Sequence, residues 1–456
     1  MNHDLLRKTA DAASRYLAGL DARPVAPKPE DVARVAELGG PLPDAPTDPA
    51  DVIDLLDRYG SPATVASAGP RYFGFVIGGS LPATLAANWL AGAWDQNAGP
   101  YLASPVGAML ERIAGRWLLD VLGLPESCEV GFVSGATMAN FTGLAAARHK
   151  LLERQGWDVE AKGLYGAPPI TVVVGDEVHV SLLKALSLLG LGRERVIRVP
   201  VDEQGRMRPD RLPPLDDTTL LCIQAGNVNS GAFDPAAEIC AQAREAGAWM
   251  HVDGAFGLWM AATPHGANLI AGYDLADSWA TDAHKWLNVP YDCGLVFCRD
   301  PQALYAAMSS SASYLVQGEQ RDPFLTVPEM SRRARGVEVW AALRSLGRSG
   351  LAEMIERTCA LAQRFADGLR AAGYTVLNEV VSNQVLVSFG DAETTQQVIA
   401  AIQQDGTAWA GGTVWHGQAA MRISVSSWAT TEADVDRSLK AIRRVASEVQ
   451  HHAISR

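Results

Sequence analysis

From about residue 81 to residue 300 the chain alternates between two hydrophobic periods, and that alternation narrows the folds open to it. Stretches with helical spacing at Leu81–Gly92, Ser104–Leu122 and Thr137–Arg154 give way to short β-branched runs. The clearest runs are Thr171–Val174, Leu220–Gln224, Trp249–Val252, Ser278–Thr281 and Leu295–Phe297. Such alternation predicts an α/β fold with a mainly parallel sheet covered on both faces. In open sheets of this kind ligands sit beyond the carboxyl ends of the strands, so polar residues just after each run become candidates for chemistry.

The flanking regions differ. Residues 1–22 read as an amphipathic helix, with Leu5, Leu6, Tyr16, Leu17 and Leu20 apolar. Residues 23–50 hold seven prolines, which fix φ and remove donors, so this is an extended connector with a short helix near 30–38. An arm of this kind either wraps a partner subunit or hangs free. Residues 309–330 have little periodicity and are long enough for a lid or a partner contact. Beyond Arg335 helices return at 335–343, 350–372, 392–404 and 431–448. Strand-like runs at Tyr374–Leu377, Val385–Phe389 and Met421–Val425 lie among them, a βαβ-like tail. The expected division is an arm at 1–60, a large α/β domain at 61–330 and a smaller α+β domain at 331–456.

Composition excludes several classes. Among 456 residues, 39 Lys and Arg against 51 Asp and Glu leave a net charge of −12, which disfavours nucleic acid and anionic membranes. No run reaches the roughly 18 apolar residues a membrane span needs. Asp4, Arg7, Lys8 and Asp11 interrupt the first residues, so they do not read as a signal peptide. The six cysteines form no Cys-x-x-Cys pair, so free thiols in a reducing, cytoplasmic setting are expected, without a metal site.

Two strand ends stand out. Lys285 follows Ser278–Thr281 and is flanked by His284 and Trp286. It is either a solvated cation lying over Trp286 or a partly buried amine able to form a Schiff base. Asp253 lies 32 residues earlier, after Trp249–Val252. It is either a turn cap or a carboxylate that keeps a pyridine nitrogen protonated, so that the ring draws electrons from a bound substrate. Together the two point to pyridoxal 5'-phosphate (PLP). Ser134, Gly135, Ala136 and Thr137 lead into a helix, where small residues and a helix N-terminus suit a phosphate; a plain capped helix start is the alternative. His179 follows Thr171–Val174 and could stack on an aromatic ring and handle protons, or be a structural histidine.

In their order, Ser134–Asn140, Val178–Ala185, His251–Gly257 and Ala280–Trp286 resemble the group II PLP-dependent amino-acid decarboxylases, which include the aromatic-amino-acid and glutamate decarboxylases. The resemblance covers roughly residues 60–450. It implies a fold type I homodimer with a seven-stranded sheet and active sites shared between subunits. It assigns Lys285 as the Schiff-base lysine, Asp253 as the ring-nitrogen partner and His179 as the stacking residue, the three catalytic groups. Ser134, Gly135, Ala136 and Thr137 fall in the phosphate loop. Asn229 lies in a loop beside the ring, Ala255 below it, and Ser278 and His284 near the phosphate. Tyr72 and Phe73, in the segment Pro70–Phe75, match the substrate pocket, with Tyr101, Ser104 and Pro105 as another wall.

The chain departs from the family at three points. Met138 stands where the phosphate loop often has Glu, and Ala283 where many members have Pro. On the mobile loop, where decarboxylases often carry a proton-donating tyrosine, Phe324 falls near the matching point and Tyr314 is at the loop's start. A phenylalanine there resembles relatives that decarboxylate and oxidatively deaminate to an aldehyde. The expected reaction is decarboxylation of an L-amino acid, aromatic or otherwise bulky, to the amine and CO2. Aldehyde formation, transamination and a non-catalytic PLP-binding module are the alternatives. Trp94, Tyr72, Phe73 and Trp415 lean toward a large substrate if they line the site, and toward nothing if they are core. Arg332, Arg333 and Arg335 read as an ion-pair cluster, or less readily as a receptor for an acidic side chain. Arg422 resembles the carboxylate-binding arginine of aminotransferases, and if it clamps the α-carboxylate in the ring plane, transamination becomes the better reading.

Overall fold

A computed structural model describes residues 3–309 and 320–454, so Tyr314 lies outside the described residues. Seven strands form the large sheet: β1 (Glu129–Val133), β2 (Thr171–Gly175), β3 (Ile197–Val199), β4 (Thr219–Gln224), β5 (Trp249–Asp253), β6 (Ser278–Asp282) and β7 (Gly294–Cys298). Their order is β1-β7-β6-β5-β4-β2-β3. Only β7 runs against its neighbours; the other adjacent pairs are parallel.

Every residue of β5, β6 and β7 is buried, because both faces of the sheet are covered. Alternate side chains enter different cores, as a period of two requires. Val172, Val174, Leu220 and Trp249 join the helices Ala136–Glu153 and Val180–Leu188 on one face. Val173, Leu221, Met250 and Val252 join the helices Pro105–Val121 and Ala236–Ala246 on the other.

The parallel strands end level with one another. Val133, Gly294 and Asp282 are partners in register at one rim, and Glu129, Cys298 and Ser278 at the opposite one. The turns that follow β1, β2, β4, β5 and β6 therefore gather at a single edge.

The smaller sheet has β8 (Thr375–Val376), β9 (Gln384–Ser388), β10 (Gly411–Trp415) and β11 (Gln418–Ser424), in the order β10-β11-β9-β8. All neighbours are antiparallel. The βαβ expectation is corrected in part: β9 and β10 run the same way and are joined by the helix Ala392–Asp405, but β11 lies between them. The long helix Gly336–Ala371 joins the two sheets' cores and breaks at Gly347, whose φ of 61° interrupts its helical geometry. The first helix, His3–Ala18, buries none of its residues and rests on the 49–64 segment through Lys8–Asp54 and a Tyr16–Thr64 hydroxyl pair.

Candidate active site

Lys285 sits in the turn that follows β6. The amides of Ala283 and His284 both donate to the Cys293 carbonyl, and Asn288 donates back to that of Lys285. Trp286 faces the core with no exposure and donates its indole N–H to Thr358 Oγ1 at 2.9 Å. The lysine therefore does not lie over this ring; its Nζ is 2.9 Å from Asp282 Oδ2. The other oxygen, Asp282 Oδ1, accepts the Ala136 amide at 2.5 Å and lies 3.4 Å from His284 Nε2. One carboxylate thus ties the lysine to the start of the 136–153 helix.

Asp253 ends β5, almost fully buried. Its Oδ2 accepts from Asn140 Nδ2 at 3.1 Å and its Oδ1 from the Ala255 amide at 3.2 Å, so the ionised form is satisfied from two sides. His179 caps the 180–188 helix, with Nδ1 accepting from the Ser181 amide at 3.2 Å and meeting its hydroxyl at 2.7 Å. This leaves the ring proton on Nε2. Burial pushes the His179 pKa down, Asp253 opposes the shift, and Lys285 and Arg422 reinforce it. Groups from β5, the β6 turn and β11 therefore lie within electrostatic range of one imidazole.

The loop Ser134–Thr137 forms the rim beside them. Ser134, Gly135 and Thr137 are partly open, and the Ser134 and Thr137 hydroxyls meet no protein partner among the described residues. A Cβ on Gly135 would come within 3.1 Å of His284 Cε1, and one on Gly294 within 2.4 Å of the Gly135 carbonyl carbon. Small residues here keep the helix N-terminus and His284 close together. Ala255 is also partly open at this edge. Asn229, after β4, accepts from Thr413 Oγ1 at 2.9 Å, which brings β10 to the same rim. An amine, a buried carboxylate, an imidazole face and a helix N-terminus with free hydroxyls form a donor set that fits PLP.

Several expected residues lie elsewhere. Ser278 starts β6 at the rim opposite the loop and is fully buried. It accepts from Trp249 Nε1 at 3.0 Å and pairs with His251 Nδ1 at 2.8 Å, so it is not beside the phosphate loop. Ser104 is fully buried as the cap of the 105–121 helix, accepting from the Gly107 amide at 3.2 Å. Phe73 packs edge-on against Phe365 in the smaller core. Phe324 is buried in a short 3-10 turn, its amide donating to the Gly99 carbonyl. None of these side chains is open to a ligand. Tyr101 is partly exposed, but its amide is held by Asp322 Oδ1, and no bond joins it to the cluster. Trp94 is an exposed helix end and Trp415 is buried against His416. Arg332, Arg333 and Arg335 pair with Glu111, Glu338 and Asp292, as an ion-pair cluster would.

Arg422, Tyr72 and Trp409 flank the site. Arg422 has no carboxylate partner among the described residues; its NH1 donates to the Val228 carbonyl at 3.2 Å. Tyr72 feels the Arg422 charge although burial pushes its pKa up to about 12, and its ring stacks on Trp409 with centroids 5.0 Å apart. Phe75, well exposed, lies 5.5 Å from the same indole. Tyr291 stacks on His284 at 4.2 Å. Asp282, Asn140, Trp409 and Tyr291 were not singled out in the sequence. Asp282 alone carried a signal, an acid three residues before the lysine.

The pyridoxal-dependent decarboxylase conserved domain matches residues 41–390. The aromatic-L-amino-acid decarboxylase of Bacillus atrophaeus is 27% identical over 371 residues, covering 78% of this chain and 75% of that protein. The 4-hydroxyphenylacetaldehyde synthase of Rhodiola rosea is 25% identical over 469 residues, covering 96% and 94%. Among solved structures, Oryza sativa TDC with PLP and tryptamine superposes with a TM-score of 0.90 at 24% identity, over 98% of this chain and 99% of that one. The fold is thus that of fold type I, as expected. The chain belongs to the pyridoxal-dependent decarboxylase family and is a carboxy-lyase that acts on an amino acid with PLP as its cofactor.

Proposed function

We propose that the chain converts an L-amino acid with a large apolar side chain into its amine and CO2, with Lys285, Asp253 and His179 as the catalytic groups. The observation that carries this is that His179, Asp253 and Lys285 end or follow strands of one sheet at the same edge, with the Arg422 guanidinium, which has no carboxylate partner among the described residues, within electrostatic range of His179. When bound, PLP supplies an electron-accepting ring that stabilises charge at the α-carbon. Lys285 Nζ is the amine that attaches it. Asp253 would hold the ring nitrogen, and Ser134, Thr137 and the helix N-terminus would hold the phosphate. His179, neutral and protonated at Nε2, closes one face of the site. Arg422 orients the substrate carboxylate. The stacked Tyr72 and Trp409, with Phe75, offer an apolar wall for the side chain. In the balance, one proton replaces the carboxylate on the α-carbon. The test is to incubate the pure protein with a panel of L-amino acids and identify products. Amine and CO2 in equal amounts support the reading; keto acid, with the cofactor left in its amine form, would overturn it in favour of transamination.

A second reading is decarboxylation with oxidative deamination: the amino acid, O2 and water give aldehyde, CO2, ammonia and hydrogen peroxide. The likeness to an aldehyde synthase over 96% of the chain favours it, as does a sequence without tyrosine between Tyr314 and Tyr374. Oxygen consumption in the same assay distinguishes the two.

The protein acts, on this reading, as a homodimer. An apolar groove of about 480 Å³ lined by Ala13, Tyr16, Leu17, Leu56, Leu85 and Trp89 lies on the same helices as the exposed Leu6, Leu55, Leu90 and Trp94, an apolar face of the kind that marks protein–protein contacts. Sedimentation at twice 48.6 kDa is expected. Six free cysteines support a cytoplasmic setting. No helix among the described residues is long and apolar enough to cross a membrane, and the net charge of −12 disfavours nucleic acid.

A further inference from the structure

A chain of buried polar groups leads from Asp253 into the protein interior. Trp249, His251 and Asp253 alternate along β5, so all three face the 136–153 helix. Ser278 is the partner of His251 in register on β6. The indole N–H of Trp249 donates to Ser278 Oγ at 3.0 Å, and that hydroxyl meets His251 Nδ1 at 2.8 Å. His251 Nε2 lies 2.8 Å from Asn140 Oδ1, and Asn140 Nδ2 lies 3.1 Å from Asp253 Oδ2. Ser278, His251 and Asn140 have no exposure at all. The helix makes room for the ring with a glycine: a Cβ on Gly143 would come within 2.9 Å of His251 Cε1.

The direction of every bond follows from the ends. An indole can only donate and an ionised carboxylate can only accept. Asn140 must therefore turn its NH2 toward Asp253 and its carbonyl toward His251. His251 must then carry its proton on Nε2, and Nδ1 must accept from Ser278. The other tautomer would turn the Asn140 amide round and set two acceptors face to face, Asn140 Oδ1 against Asp253 Oδ2. Burial pushes the His251 pKa down to about 3, so the ring enters this chain neutral.

We propose that His251 is a positioning residue for the cofactor: through Asn140 it fixes the donor that holds Asp253 in the orientation needed by the ring nitrogen. The proposal rests on the assignment of Asp253 to that nitrogen. None of Trp249, Ser278, His251 or Asn140 is needed to touch substrate.

The test uses the purified holoenzyme and two readouts, PLP retention in equilibrium dialysis and steady-state kinetics. His251→Phe should weaken PLP binding about tenfold, the low end of the scale on which outer-sphere partners act at metal sites, and lower kcat with KM little changed. Asn140→Leu should do the same. The double variant His251→Phe/Asn140→Leu should be no worse than Asn140→Leu alone, since both lie on one path. A purely structural role would give additive losses of thermal stability with PLP retention and kcat unchanged, and that result overturns the proposal. Should His251→Phe fail to fold, Ser278→Ala removes the same constraint with less change of volume. It should shift both readouts the same way; unchanged readouts overturn the proposal. Asp253→Asn separates the two layers. If it leaves PLP retention and kcat intact, the assignment of Asp253 falls; if it impairs both while the His251 and Asn140 variants do not, the relay alone falls.

Discussion

Lys285 Nζ and Asp282 Oδ2 meet at 2.9 Å across a single turn, while Asp282 Oδ1 holds the Ala136 amide. The lysine is thus directed toward the Ser134–Thr137 rim before any ligand arrives, which lowers the ordering cost of attachment.

Replacing the lysine tests that role directly. Lys285→Ala should purify without the visible absorbance of lysine-bound PLP and lose activity by on the order of 10³-fold or more, as removal of a covalent catalyst does. Lys285→Arg should fare no better, because a guanidinium keeps its protons and cannot attack a carbonyl. Absorbance spectra and single-turnover assays check both; colour that persists in either variant would place the anchor on another lysine.

Arg422 has a different signature. Its guanidinium is partly desolvated, with its pKa pushed down by burial, and it is bonded to one backbone carbonyl. A charge-assisted bond contributes about 1.5–3 kcal/mol, so Arg422→Ala should raise KM by roughly 10–100-fold. Arg422→Lys should recover part of this. Kinetics across the amino-acid panel provide the check, and an unchanged KM would remove Arg422 from the substrate site.

How much of this was legible in sequence depended on distance along the chain. Lys285 and Asp253 could be read because Asp253 ends β5, Lys285 follows β6, and the two strands are neighbours. Ser278 misled because its place at the start of β6 puts it at the far rim, which resemblance alone does not reveal. Phe73 and Ser104 sit in turn-like stretches broken by Gly and Pro, yet tertiary packing buries both. Asn140 meets Asp253 across 113 residues, and Trp409 reaches Tyr72 from far along the chain; no local pattern predicts either. The strands β1 and β10 escaped notice because Gly131, Gly411 and Gly412 break their β-branched pattern. At Gly131 the reason is packing, since a Cβ would come within 2.7 Å of the Thr326 carbonyl oxygen.

The pair Arg332–Glu111 supports the loop from below. Both side chains are almost fully buried, with Arg332 NH2 2.6 Å from each Glu111 oxygen. Arg332 NH1 also donates to the Phe132 carbonyl at 2.7 Å, two residues before Ser134. Glu111→Ala leaves a buried cation unpaired and should cost about 3–5 kcal/mol. The double replacement Glu111→Leu/Arg332→Met should be less damaging than Glu111→Ala, because no charge is stranded. Denaturant unfolding of the three proteins measures the difference, and a Glu111→Ala cost below that of the double variant would contradict it.

His251 gives a prediction about acid. Its folded-state pKa is depressed to about 3 by burial, against about 6.5 in an unfolded chain. A depressed value means the unfolded state binds the proton first. The stabilisation is therefore complete above pH 6.5 and is lost progressively as the pH falls toward 3. At about 1.4 kcal/mol per pH unit, His251 alone should remove about 2 kcal/mol between pH 6.5 and pH 5. The variant His251→Leu lacks this proton, so its unfolding free energy should fall less steeply over that interval, even though it starts lower from the lost hydrogen bonds. Unfolding curves for both proteins at pH 7.5, 6 and 5 check the slope. Equal slopes would mean that the imidazole is protonated as readily inside the protein as outside, and would contradict a chain of hydrogen bonds that needs it neutral.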